Sequence, residues 1–253
     1  MNLRSTFHFQ QHLFVTAFCL AICGVEARAQ AQQGIIKMKA GAPQQGIITG
    51  VTASGVGLQL PAGGSISIPL GQIESVSVAA PPEFNIAMQA VAAKDLPKAN
   101  SVIAGIVTKF KGLPADWAQQ ATALSGFLAL QSGDLAKAES AFRDFKTFYP
   151  AAPEGKVGTA AIAAAKKDFA TAKSLVAPII EDALKLKDVP LPNRFAFSRA
   201  FFISGLVKES ENDFSGALED YLRTSTIFYH DTAAVASAQE RAEALRKNKI
   251  TVP

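Results

Sequence analysis

The chain has 253 residues, of which 49% are apolar and 18% charged. That is enough for one or two domains with a packed core, and it excludes a disordered or collagen-like chain. The net charge of +4 is too mild a surplus to demand a nucleic-acid partner, and two cysteines with three histidines leave little material for thiol or metal chemistry.

Residues 1–29 read as a cleaved signal peptide and not as part of the fold. Arg4 gives a basic start, an apolar run extends from Leu13 to Val25, and Ala27-Arg28-Ala29 is a small-x-small cleavage pattern, with Ala29-Gln30-Ala31 as a second choice. The run is shorter than the roughly 20 apolar residues that span a bilayer. A periplasmic or secreted mature chain is therefore expected, with membrane contact only indirect or through a partner. Leu20-Ala21-Ile22-Cys23 is similar to a bacterial lipobox, but Ile before the cysteine fits it poorly, so a lipid anchor on Cys23 is not expected. Cleavage removes Cys19, Cys23, His8 and His12, leaving His230 as the one histidine and no cysteine. No disulfide, thiol nucleophile or cysteine-based metal site is then expected.

Residues 34–80 carry strand patterning. Val56, Leu58 and Leu60 alternate with Gly57 and Gln59, and Ile66, Ile68 and Leu70 with Ser65, Ser67 and Pro69, the period-two signature of half-buried strands. Turn signals at Gly41-Ala42-Pro43, Ser54-Gly55 and Pro61-Ala62-Gly63-Gly64 divide five predicted strands, at 34–39, 45–52, 55–60, 65–70 and 74–79. After Leu70 the phase slips, which one extra residue in a turn around Gly71 to Glu74 explains. Five short strands with tight turns suit a small curled antiparallel barrel, and the segment resembles an SH3-like or Sm-like barrel. It could bind a peptide, glycan or envelope component, or serve only to cap the helical region. With two basic residues, Lys37 and Lys39, and no aromatic residue for base stacking, it does not suit RNA. Pro81-Pro82 breaks the pattern and marks a boundary.

From residue 82 to 248 the chain is helical and repetitive. Asp95-Leu96-Pro97-Lys98-Ala99 recurs as Asp134-Leu135-Ala136-Lys137-Ala138, Asp168-Phe169-Ala170-Thr171-Ala172 and Asp213-Phe214-Ser215-Gly216-Ala217. Asp suits a helix N-cap, since its carboxylate accepts from exposed backbone N–H groups. The Ala four positions on lies one turn later, where a small side chain lets two helices approach. Helices are predicted at 83–93, 96–110, 115–131, 135–148, 153–166, 169–186, 192–210, 214–228 and 232–247, the last one a cap with Val235, Ala238, Ala242 and Leu245 on one stripe.

The second copy resembles a tetratricopeptide repeat at Gly126, Gly133-Asp134, Ala138, Phe142 and Pro150, departing from it at Thr122 and Ala129. The fourth keeps Gly205, Asp213, Ala217 and Tyr221. The third keeps Ala160, Asp168 and Ala172, and the first Ala87, Asp95 and Ala99. Phe148-Tyr149-Pro150 and Phe228-Tyr229-His230-Asp231 are similar to phrases in exported, periplasmic bacterial members of that family. The resemblance implies a mainly α chain: four helical hairpins in a superhelix plus a C-terminal cap helix, with the small β module in front. It also implies that the first helix of each hairpin lines a concave face that holds a peptide or protein. By position that face includes Gln120, Ala123, Phe127, Leu130 and Gln131 in the second repeat and Arg199, Phe202, Leu206 and Glu209 in the fourth. Phe127 and Phe202 would anchor, and Arg199 and Glu209 would set direction. The alternative is that these residues fill contacts between hairpins.

Little else points to chemistry. No phosphate-cradling glycine loop, Gly-x-Ser-x-Gly elbow or calcium-spaced acidic loop occurs. His230 beside Asp231 reads as a loop histidine next to a helix cap, since a triad also needs a positioned serine. Trp117 could anchor a ligand but is better explained by packing on the preceding hairpin. The expectation is a non-enzymatic scaffold without cofactor or metal, binding a protein or peptide and with self-association open. The rival reading is an envelope adaptor whose β module binds a glycan or membrane component while the repeats position it.

Overall fold

A computed structural model describes residues 32–188, 193–248 and 250–252. The expected signal peptide, with Cys19 and Cys23, lies outside the described residues, as do Pro190 and Pro192.

Five antiparallel strands come first: β1 (Gln32–Met38), β2 (Gln44–Thr52), β3 (Gly55–Gln59), β4 (Ser65–Ile68) and β5 (Ile73–Val78), in the order β4-β3-β2-β1-β5. A short 3-10 turn at Leu70–Gln72 joins β4 to β5, and it accounts for the phase slip in the apolar pattern. This link also bends the sheet. Five flat strands would hold their two edges about 19 Å apart at ~4.8 Å per strand. The chain from Ile68 to Ile73, with three residues in a 3-10 turn, reaches only about 13 Å. The sheet must therefore curl. Register shifts at Lys37/Met38 in β1 and at Ile48/Gly50 in β2 supply the bends. Ile36, Ile48, Val56, Leu58, Ile68, Ile73 and Val76 fill the inner face. The outer edge of β5 is covered where Val76 N–H donates to the Pro114 carbonyl at 3.2 Å.

Nine helices follow among the described residues: α1 (Pro82–Ala92), α2 (Leu96–Phe110), α3 (Asp116–Gln131), α4 (Leu135–Phe148), α5 (Glu154–Ala165), α6 (Phe169–Lys185), α7 (Arg194–Ser210), α8 (Phe214–Thr226) and α9 (Thr232–Lys247). The repeated aspartates cap the second helix of each hairpin. Asp95, Asp134, Asp168 and Asp213 accept from the backbone N–H three residues on, at 3.1, 3.0, 3.1 and 2.9 Å. The matching alanines, Ala99, Ala138, Ala172 and Ala217, are fully buried.

Each of these aspartates also closes the helix before it. Its own N–H donates five residues back, to the carbonyl of Ala90, Ala129, Ala163 or Lys208. The residue just ahead of it, Lys94, Gly133, Lys167 or Asn212, is left-handed with φ of 58, 75, 65 and 63°. This is a Schellman end whose last residue doubles as the next N-cap. One aspartate thus stops one helix, turns the chain and starts the next.

Within two hairpins a glycine of the first helix makes room for an aromatic ring of the second. A Cβ on Gly126 would lie 2.6 Å from the Phe142 ring, and one on Gly205 would lie 2.3 Å from Tyr221. These equivalent contacts make α3–α4 and α7–α8 two copies of one hairpin. The architecture is a stack of four such hairpins, α1–α2, α3–α4, α5–α6 and α7–α8, with α9 as the final helix, behind a five-stranded antiparallel sheet.

Two joints fix the stack. At its start, the apolar core runs without interruption from the sheet into α1, α2 and α3. There Trp117 packs edge-on against Phe110 at 5.1 Å and its indole N–H donates to the Val78 carbonyl at 3.1 Å, so the tryptophan is a packing and tethering residue. At its end, α9 packs on α8 through Ala238, Ala242 and Leu245 and also reaches back to α1. Ala233 joins the first core cluster, and Lys94 pairs with Glu240 at 3.6 Å. The arc of hairpins is closed on itself.

Candidate functional site

Because the hairpins stack side by side, their first helices share one side of the arc. A cleft of about 590 Å³ opens there. Phe127, Leu130 and Gln131 come from α3, and Ala161, Ala164 and Ala165 from α5. Arg199, Phe202, Ile203, Leu206 and Glu209 come from α7, and Ser237 and Arg241 from α9. Lys167 and Phe169 add the turn after α5. The wall is mainly alanine, leucine and phenylalanine, with a few polar groups, and its size is that of a ligand cleft.

Seven of the nine groove residues named from the sequence line this cleft: Phe127, Leu130, Gln131, Arg199, Phe202, Leu206 and Glu209. Ala123, fully buried in the core, does not, and neither does Gln120. It lies on the same face of α3 as Phe127 but seven residues earlier, about 10 Å along the helix, and it is half-buried outside the cleft.

Depth separates the seven. Phe127 is only 2% exposed and Arg199 only 5%, so they form the floor and are not exposed handles. Phe127 meets Phe142 edge-on at 4.8 Å and Phe195 at 5.8 Å, tying the second hairpin to the fourth. The Arg199 guanidinium lies 4.2 Å from the centre of the Phe127 ring, a cation–π contact in a dry setting. Leu130, Phe202 and Leu206 are partly open, and Gln131 is exposed at the lip. Glu209 is paired across the cleft mouth with Arg241.

Arg199 is held by Asp231, the residue ahead of α9. Its Nε–H donates to Asp231 Oδ2 at 2.6 Å, and Nη2 lies 2.5 Å from the same oxygen. The other carboxylate oxygen accepts the Ala234 N–H at 3.0 Å and so caps α9. Asp231 is thus engaged with Arg199 and the cap, and not with its neighbour His230. The His230 Nε2 lies 3.2 Å from Arg194 Nη1. Burial, and then the Arg194 charge, push the His230 pKa below its usual value.

A second buried charge sits at the start of α5, away from the cleft lining. Glu154 is 0% exposed. Its Oε2 accepts from Gln119 Nε2 at 3.2 Å, while Oε1 has no hydrogen-bond partner. Burial pushes its carboxyl up to about 7, and the nearby Asp116 charge adds to the rise, against the hydrogen bonds from its own backbone and from Gln119. Sequence reading passed over this residue, because an acid in the first turn of a helix is ordinarily a solvated one. The signal was in its neighbours. Gly155 and Gly158 let α5 settle onto α4, where a Cβ on Gly158 would lie 2.1 Å from the Phe142 ring, and that approach draws the helix start inside.

Among the described residues, no group of three or more His, Cys, Asp or Glu side chains could hold a metal ion, and no helix is long and apolar enough to cross a membrane. Comparison with protein-family models and with curated proteins returns no match. Among solved structures the chain is similar to a tetratricopeptide repeat protein from Parabacteroides merdae, at 11% identity and a TM-score of 0.39, over 65% of this chain and 70% of that one. A likeness of that size decides nothing about function, and the hairpin geometry alone defines the architecture.

Proposed function

We propose that the mature chain is an exported, non-enzymatic scaffold that holds a segment of a protein partner in the cleft between the first helices of its hairpins. The cleft itself carries this reading. It is concave, mainly apolar and built from four rigid helices, and the partly open Leu130, Phe202 and Leu206 give an incoming side chain a place to bury. The Glu209–Arg241 pair at the mouth gives the occupant a direction. Export is supported by the basic start, short apolar run and small-x-small site of residues 1–31.

The strand module is similar to an SH3-like barrel in its order β4-β3-β2-β1-β5 and its 3-10 link before the last strand. We assign it the task of closing the open end of the first hairpin. Its core is continuous with α1–α3, and Trp117 fastens the two.

Photocrosslinking in the native envelope tests the scaffold reading. A photoreactive residue at Phe202 or Leu206 should give a discrete adduct. One at Ala177, an exposed α6 residue that faces α8 and lies outside the cleft, should not, and Leu130→Glu should abolish the adduct. Equal labelling from both sides, or none from the cleft, would refute the reading. Sequencing the N-terminus of the mature chain tests export: Gln30 or Gln32 is expected first, and a retained Met1 refutes cleavage.

A further inference from the structure

The floor of the cleft carries an incompletely used cation. A guanidinium has five N–H donors in a planar fork, and the usual buried Arg–carboxylate pair satisfies two of them side by side. Arg199 does not form that pair. Asp231 Oδ1 faces the α9 cap, where it accepts the Ala234 N–H, and both Nε and Nη2 converge on the single oxygen Oδ2. Only Nε makes a hydrogen bond with it. Nη2 is buried against Oδ2 as an ion pair outside hydrogen-bond geometry, and among the described residues no acceptor serves Nη1. The side chain holding these donors is 6% exposed and lines the cleft. The Phe127 ring, 4.2 Å from the guanidinium carbon, and the Asp231 carboxylate hold the group in place, so the donors are pre-oriented. The charges around the cleft agree: Glu209 offsets Arg241 and Asp231 offsets Arg199, which leaves Lys167 as a surplus cation in the lining.

We propose that the partner segment is acidic, presenting a side-chain carboxylate flanked by apolar residues, and that this carboxylate takes the Nη1 donors of Arg199 at the floor. This rests on the reading of the cleft as the partner site. The carboxylate completes the fork that Asp231 leaves half filled. The apolar neighbours bury against Leu130, Phe202 and Leu206, and Lys167 favours the approach of negative charge at the mouth. The aspartate that caps α9 thereby sets what the cleft accepts: it meets Arg199 through one oxygen and leaves the Nη1 donors for a ligand.

Isothermal titration calorimetry of the mature chain with three capped peptides tests this: acetyl-Ala-Leu-Glu-Phe-Ala-amide and its Gln and Lys counterparts. Capping both ends leaves the central side chain as the sole charge. The Glu peptide should bind about tenfold more tightly than the Gln peptide, the scale of one charge-assisted hydrogen bond, and the Lys peptide most weakly. The double variant Arg199→Met/Asp231→Asn removes both charges together and retains a capping side chain, so it leaves no unpaired buried ion. In that background, with folding checked by its circular dichroism melt, the Glu and Gln peptides should bind within about twofold of each other. Equal binding of the three peptides to the unaltered chain, or a Glu preference that survives in the double variant, would overturn the acidic assignment and leave the cleft reading standing. Failure of all three to bind would count against the cleft as a peptide site, and the acidic assignment would fall with it.

Discussion

Replacing Glu154 with glutamine should stabilise the protein above neutral pH and leave it unchanged in acid. The folded-state carboxyl titrates near 7 against an ordinary value of 4.5. Between those values the folded chain keeps a proton that the unfolded chain has released, so the unfolded state binds fewer protons and stability falls as pH rises. The penalty is absent below about 4.5, grows through the window and levels off above 7. A displacement of that size corresponds to about 3 kcal/mol at about 1.4 kcal/mol per pKa unit. Glutamine has the same shape, can still pair with Gln119 and carries no charge to desolvate. Urea denaturation of both proteins at pH 4.5, 5.5, 6.5 and 7.5 gives the difference directly. His230, whose pKa is pushed down by burial and by Arg194, titrates equally in the two and cancels. The capping Asp168, held low by its bonds to Thr171, cancels likewise. A stability difference that stays constant across that range would show that Glu154 is not a buried ionising group, and the reasoning would fail.

Four further outcomes follow from the packing. Gly205→Ala should cost about 1–3 kcal/mol by overpacking against Tyr221, seen as a lower melting temperature, even though alanine is the better helix former; a neutral result would mean that the two helices part easily. Lys94→Gly should add about 0.5–1 kcal/mol, because glycine relieves a left-handed φ of 58°, and the urea midpoint should rise without a change in slope. Arg199→Met and Asp231→Asn should each cost about 3–5 kcal/mol alone, since each strands a buried charge, but much less together; a double-mutant cycle in urea measures the coupling. Trp117→Phe should cost about 1–2 kcal/mol through the unsatisfied Val78 carbonyl. As the chain's one tryptophan, Trp117 also reports by fluorescence on the joint between sheet and helices, and its unfolding midpoint should coincide with that from circular dichroism.

Much of this architecture was legible in the residues, because its signals are local. The Asp-x-x-x-Ala phrase marks a cap and a close contact four residues later, and all four copies sit at the start of a helix. The strand alternation and its slip after Leu70 likewise reported the 3-10 link before β5. What escaped notice depends on contacts far apart in sequence. Asp231 occupies a cap position like the others, yet nothing around it announces that Arg199, thirty-two residues earlier, completes its coordination. Lys94, Lys167 and Asn212 adopt a conformation ordinarily given to glycine, and only Gly133 among the four equivalent positions advertised it. The groove residues were named by helical position, which places them along the arc but says nothing of depth. That is why Phe127 and Arg199 lie on the floor and Gln120 falls outside.

The return of α9 to α1 changes how such a stack can come apart. An open row of hairpins contacts only nearest neighbours, so it can unzip from either end one repeat at a time. Here Ala233 and the packing of α9 on α1 fasten the last helix to the first hairpin, and the strand module is rooted in the same place. The row has become a bracelet, with its clasp where the two ends meet. Fraying must begin by opening that clasp, so losing the last sixteen helical residues would loosen the first hairpin, more than a hundred residues away, before it disturbed the middle of the stack.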